Sequence, residues 1–377
     1  MVDTVIIRSN SIIYDPRVRK IYRSLSKRYS TLILGWNREG VSKKTTDDYI
    51  ADLKLFDLKA PFGKSSLVAY FPLFWMWILF KLFVYRPKVV HACDLDTILP
   101  CYIYKLIFRR RLVFDVFDRY AMEYIPLFLE PGSLKFKILY LLVNLFEELF
   151  SKKSNVLINV SDEVLRTFQK RPKHCAIIMN CVEDHAIDRV KSQDHTLTLV
   201  YTGNVVETRG LDKIAAAIKD LSNVEFIIAG RVVDKELLNH ILALPNVKYK
   251  GLLKQSDALA LEACSDAIIA LYDLRIPFHN FTIPNKVFEA MMLGIPIITN
   301  NGARKLINKS RSGIIVEYND INQIKAAIVS LRDNTELRRM LGNNGRKAFL
   351  QKYNWTLMEQ ELYKIYEYLL DCVNLRE

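Results

Sequence analysis

Glu289 and Lys286 stand in PNKVFEAMMLGIPIITN, Pro284 to Asn300, and carry the plainest chemistry in this 377-residue chain. A carboxylate among Phe288, Met291 and Met292 is expensive to bury without a partner. It either lies on an exposed helix edge or accepts hydrogen bonds, for example from ribose hydroxyls. Lys286 and Arg209 are cations able to neutralise a pyrophosphate. Gly203 and Gly230 close strand-like runs, where backbone without a side chain approaches something closely. Singly, each reads as a turn glycine. Together with Arg209, Lys286 and Glu289 they outline a nucleotide cleft, and a helix start near Ile283 to Lys286 adds N–H groups that favour anions.

A second set of polar residues lies in the first half. HACDLD and DVFDRY each follow an apolar run. His91, Asp94 and Asp96 come from one, Asp115 and Asp118 from the other. Open parallel sheets bind ligands at that edge. His91, Asp94, Asp115 and Asp118 are the candidates for orienting an acceptor. Arg17, in the loop SNSIIYDPRVR, is a candidate for contact with acceptor or diphosphate. The bland reading of each is a loop cap or a solvated charge.

These residues need two α/β frameworks. Thr4 to Arg8, a helix through Lys27 and Tyr29 to Gly35 form a strand–helix–strand start. The first turn lacks a glycine-rich dinucleotide fingerprint, which argues against a nicotinamide enzyme. A second alternation begins at Leu197 and runs beyond the Glu289 helix to Val316. Residues 184–195, DHAIDRVKSQDH, read as the break, giving domains at 1–188 and 196–352 and a last helix in 353–377. Two domains are the default at this length.

The formal net charge of +13 favours an anionic partner. No basic arm, zinc-finger spacing or stacking motif is present, so nucleic acid is disfavoured. Six scattered cysteines lack metal-ligand spacing and suit a cytosolic chain. No cleavable signal peptide is visible. Leu67 to Tyr85, LVAYFPLFWMWILFKLFVY, borders on a membrane span by hydropathy. It sits between strands of one domain, which a span would split across a bilayer. The expectation is a buried helix, or one whose aromatic outer face, with Phe74, Trp75 and Trp77, dips into a membrane interface.

The order DPRV, VVHACDLDTILP, VYTGNVVETRGLDKIAAAI, FIIAG, VKYKG and PNKVFEAMMLGIPIITN resembles that of family 4 glycosyltransferases, the retaining class with the GT-B fold. The resemblance covers nearly the whole chain and is strongest in its second half. It implies two Rossmann-like domains facing each other across a cleft. The first binds the acceptor and the second the nucleotide sugar, and the C-terminal helix crosses back to the first. It implies that Glu289 binds ribose, that Gly203, Asn204, Arg209 and Gly230 line the diphosphate, and that no metal or cofactor is needed. Three positions depart from the pattern. Phe281 replaces the first glutamate of a pair spaced eight apart, leaving His279, Asn280 or Thr282 to substitute. Asn204 stands where Arg is frequent. Phe117 stands where relatives carry histidine. The expected activity is transfer of a hexose-type sugar to a glycan acceptor, lipid-linked, at the inner face of the cell membrane. A non-catalytic subunit binding nucleotide sugar and a nucleotide-sugar epimerase are the alternatives.

Overall fold

The computed structural model describes residues 2–10, 12, 15–40, 52–61, 65–185, 187 and 196–374. It divides into two units, Met1–Met179 with Met358–Glu377, and Asn180–Leu357. Most of the expected break at 184–195 lies outside the described residues. Residues 180–183 group with the second unit.

The first unit is built on β1 (Thr4–Arg8), β2 (Thr31–Trp36), β3 (Leu53–Phe56), β4 (Val89–Cys93), β5 (Arg111–Val116), β6 (Val156–Asn159) and β7 (His174–Ile177). All pair in parallel, in the order β3-β2-β1-β4-β5-β6-β7. β1, β2 and β4 are buried along their whole length. That is why they read as mostly apolar runs. β3 is a partly exposed four-residue edge strand that the sequence pattern does not reveal. The chain steps outward from β1 to β3, then returns to pair β4 with β1. This reversal puts the ends of β1 and β4, Arg8 and Asp94, at a topological switch point.

The apolar segment forms a helix, Phe71–Tyr85, whose Phe74, Ile78 and Leu82 enter the sheet core, so Phe74 belongs to the inner stripe and not to the expected outer face. The last helix, Trp355–Asn374, packs on the first unit from residue 358 onward. There the Tyr363 hydroxyl donates to Ser24 O at 2.9 Å, and Lys27 meets Glu359 at 2.7 Å.

The second unit holds β8 (Leu197–Thr202), β9 (Val224–Ala229), β10 (Val247–Tyr249), β11 (Ala267–Ala270), β12 (Ile297–Thr299) and β13 (Gly313–Ile315). Their order is β10-β9-β8-β11-β12-β13, again all parallel, with the switch between β8 and β11. The Glu289 helix spans Asn285–Leu293, one residue after Pro284, and stops at Gly294. Gly294 has φ 62°, the left-handed conformation a helix C-cap favours.

Candidate functional site

In the second unit, the turns after β8 and β9 lie backbone against backbone. Gly203 N–H donates to Ala229 O at 2.9 Å. A Cβ on Gly230 would sit 1.9 Å from the Gly203 carbonyl oxygen. The close approach that Gly230 permits is therefore to the neighbouring turn. Tyr201 bonds Asn204 O at 2.8 Å and steadies that turn from below. Asn204 itself is exposed.

Beside these turns lies a buried charge cluster. Lys286 Nζ is 2.7 Å from Glu262 Oε1 and 2.5 Å from Glu289 Oε2. The Thr202 hydroxyl donates to the same Glu262 oxygen. Glu262 is fully buried and Glu289 is 8 % exposed. Burial, together with the nearby Glu289 charge, pushes Glu262 up to about 7, against the opposing pull of Lys286. The two carboxylates raise Lys286, outweighing its burial. Expected as a diphosphate contact, Lys286 is instead held between two carboxylates. Its charge balances the cluster and orients Glu289.

Glu262 was not singled out from the sequence. Its helix, Gln255–Ala263, buries Leu259, Glu262 and Ala263. An acid at the i+3 position of a buried stripe was the available signal.

Arg209 lies over the Tyr272 ring at 4.0 Å, with Nη1 3.5 Å from His279 Nε2. His279 is buried and donates from Nδ1 to Asp273 O at 2.7 Å, leaving Nε2 as the acceptor facing Arg209. Of the three proposed substitutes near Phe281, His279 alone meets Arg209. Asn280 bonds Pro277 O and Asn301, and Thr282 bonds Phe278 O. Arg209, Tyr272 and His279 thus form one cationic, aromatic corner at the ends of β8 and β11.

In the first unit, the expected acceptor residues form a network. Arg17 makes two bonds to Asp115, at 2.8 and 3.2 Å, and one to Ile178 O at 2.5 Å. His91 lies between the Tyr366 hydroxyl at 2.8 Å and Asp115 at 3.2 Å. Burial pushes Asp115 up, but the Arg17 charge and His91 outweigh it and hold the carboxyl below its usual range. His91 and Asp115 are completely buried. The expectation that they reach an acceptor, and that Arg17 reaches a diphosphate, is therefore corrected: their polar atoms are taken up inside the unit.

The same network bears on metal binding. His91, Cys93 and Asp115 lie close enough to share an ion. Both His91 nitrogens and both Asp115 oxygens are already bonded within the protein, so the group does not fit a metal.

Phe117, where histidine was anticipated, lies beneath two guanidinium groups, Arg8 at 4.3 Å and Arg17 at 4.8 Å. A histidine there would face two cations, whereas a phenyl ring attracts both.

Asp94 has φ 65° and ψ 172°, a conformation essentially restricted to glycine. It is held by Arg8, by Phe117 N–H at 2.7 Å and by Asp118 N–H at 3.3 Å. Its own N–H donates to Asp115 O at 2.9 Å. Such strain persists only where the surroundings over-determine it, and it is common at functional sites.

Asp118 is the one half-buried member of the four. It accepts from the Tyr124 hydroxyl at 3.1 Å. Burial, then the Asp94 and Glu123 charges, push it up to about 7.

Residues 196–334 match the family described as Glycosyl transferases group 1. The capsular polysaccharide biosynthesis glycosyltransferase CapM of Staphylococcus aureus is 25 % identical over 179 residues, 45 % of this chain and 46 % of that protein. The match takes in about half the length of this relative. Among solved structures, sucrose-phosphate synthase of Thermosynechococcus elongatus superimposes with a TM-score of 0.78 at 14 % identity, over 99 % of this chain and 100 % of that one. Anabaena HepE in complex with UDP-glucose superimposes with a TM-score of 0.72 at 14 % identity, over 97 % and 100 %. These likenesses show the fold, two Rossmann-like domains of the GT-B class.

Proposed function

With residues 196–334 a group 1 glycosyltransferase domain in a chain of GT-B fold, we propose that the protein is a retaining glycosyltransferase using a nucleoside diphosphate hexose. The carrying observation is the Glu262–Lys286–Glu289 cluster beside the paired glycine turns. Buried charges are expensive, and this set presents one oriented carboxylate, Glu289, at the C-terminal edge of a parallel sheet. Glu289 accepts the ribose hydroxyls. The Gly203–Asn204 turn and Arg209 receive the diphosphate, and His279 bears on the sugar-proximal end. The charge that develops on the leaving diphosphate is stabilised by Arg209 and backbone N–H groups, with no metal required. The complex of HepE with UDP-glucose supports a UDP-sugar as the first donor to try.

The acceptor is a glycan on a lipid carrier, bound by the first unit at the cytoplasmic membrane face. CapM, a capsular polysaccharide enzyme, supports that substrate class.

The first measurement is calorimetry with UDP-, GDP-, ADP-, dTDP- and CMP-sugars on wild type and Glu289→Ala. Wild type binds one nucleotide class. The variant binds it ten- to a hundredfold more weakly, matching about 1.5–3 kcal/mol for charge-assisted hydrogen bonds. No binding of any nucleotide sugar would sink the enzyme reading and leave a subunit with another role. Equal binding by Glu289→Ala would misplace the ribose.

Asp118 gives a second expected outcome. A carboxylate with its pKa near 7 is poised to take the acceptor proton. As the base, it must be ionised, so kcat/KM falls about tenfold per pH unit below about 7. Asp118→Asn loses this acid limb and most of the transfer rate, with donor KM unchanged. A variant with wild-type rate and pH profile would exclude the role.

A further inference from the structure

Three helices on one face of the first sheet, Phe71–Tyr85, Leu95–Phe108 and Leu134–Lys153, turn apolar side chains outward. Their inner residues share one core, with Phe74, Ile78 and Leu82 from the first, Ile98, Cys101 and Tyr104 from the second and Phe150 from the third. The first helix packs on the second and the second on the third, so their outer surfaces adjoin. On the first helix Leu73, Met76, Phe80 and Val84 are exposed at helical spacing, Met76 and Phe80 by 60 % each. Leu106 and Ile107 continue the surface on the second.

The third helix is the least expected. Its buried side chains begin at Glu147, so three turns before it stand clear of the core. Leu134, Ile138, Leu141 and Leu145 line those turns, with Leu134 72 % exposed. Soluble monomers rarely leave so continuous an apolar area to water.

The exposed charges on the three helices have one sign. Lys135, Lys137, Lys152 and Lys153 are exposed on the third helix, and Arg86 and Arg109 cap the first two. The acids on the three helices turn inward. Asp96 bonds Ser9, while Glu147 and Glu148 meet Arg119. At the ends of the second and third helices Lys105 donates to Lys153 O. Burial, with Arg111 and Lys153 nearby, pushes Lys105 down to about 8, a crowding of cations that an anionic surface would relieve.

We propose that this three-helix face is a docking surface for an anionic lipid bilayer, with Leu134–Lys153 inserting beside Phe71–Tyr85 in the plane of the interface. The occupant follows from the pairing of an apolar stripe with helices whose exposed charges are basic, the pattern of helices lying in anionic membrane surfaces. The helix Ser66–Tyr85 is long and apolar enough to cross a membrane. Its inner stripe, however, is fully buried in the sheet core, so it lies on the bilayer and does not span it. The Trp75 indole N–H donates to Asp96 O at 2.7 Å and ties the first helix to the first turn of the second, which Asp94 caps. A carrier lipid lying in that bilayer would present its head group near the half-buried Asp118 of the first unit. Only this last consequence rests on the glycosyltransferase reading.

The test is co-sedimentation of the full chain with vesicles of phosphatidylcholine alone, and with 30 % phosphatidylglycerol, in low and 0.5 M salt. The expected result is binding to the anionic vesicles at least tenfold stronger than to neutral ones, reduced by salt. Leu141→Glu/Leu145→Glu, on exposed positions of the third helix, is expected to lose at least tenfold in vesicle partition while binding nucleotide sugar as wild type does. Wild-type partition by the double variant would overturn the role of the third helix. Absence of vesicle binding would overturn the proposal, as would a dimer that the double variant dissociates, since the face would then join two copies. Failure of nucleotide-sugar binding in calorimetry would remove the glycosyltransferase reading and leave the vesicle result standing.

Discussion

Lys286→Met is expected to destabilise the second unit by about 3–5 kcal/mol, the usual effect of leaving buried charges uncompensated. Lys286 lies 2.7 Å from Glu262 and 2.5 Å from Glu289, and Glu262 has no exposure at all. Without the ammonium, two carboxylates share a dry site, and at least one must take a proton. Adding Glu262→Gln removes one of them. The double variant should therefore recover most of the lost stability in urea unfolding, because Thr202 and the new amide still satisfy one another. Donor binding should not recover with it, since Glu289 has lost the group that orients it. Chemical denaturation and calorimetry on the same samples separate the two effects. Independent, additive losses from Lys286→Met and Glu262→Gln would mean that the cluster is not one unit.

Arg17→Met should lower the stability of the first unit by a similar amount, about 3–5 kcal/mol. Asp115 would remain completely buried, with His91 as its one remaining side-chain partner among those described. Burial that Arg17 now overrides would then raise the Asp115 pKa. In the native protein the depressed pKa of Asp115 adds stability that is present above the ordinary carboxylate range and lost as pH falls through the folded value. Arg17→Met removes that term, so the wild-type advantage in unfolding free energy should shrink towards low pH. Nucleotide-sugar binding should be unchanged, because the Arg17 guanidinium is buried and held by Asp115 and Ile178 O. A large loss of donor affinity with intact stability would restore Arg17 to the diphosphate.

The two cases mark how far the sequence reaches. Strand positions were legible because central parallel strands are largely buried on both faces and so read as mostly apolar runs, as in β1, β8 and β9. The Glu289 helix was legible because its stop needs a glycine in the left-handed conformation, found at Gly294. The apolar character of Phe71–Tyr85 was evident, and its division into an inner and an outer stripe was not.

Glu262 was hidden because a single glutamate reads as a solvated helix residue unless its partners are known. Those partners, Thr202 and Lys286, lie 60 and 24 residues away. His91 and Asp115 lie within β4 and β5, one to two residues short of the ends that commonly face ligand. Only the packing of Arg17 and Tyr366, from helices at opposite ends of the chain, showed them to be enclosed. The sequence by itself determined the two parallel sheets and the glycine-stopped helix that carries Glu289. Tertiary structure alone decided which charges are buried against one another. Local pattern reports burial through hydrophobic periodicity, whereas charge pairing depends on contacts between distant segments.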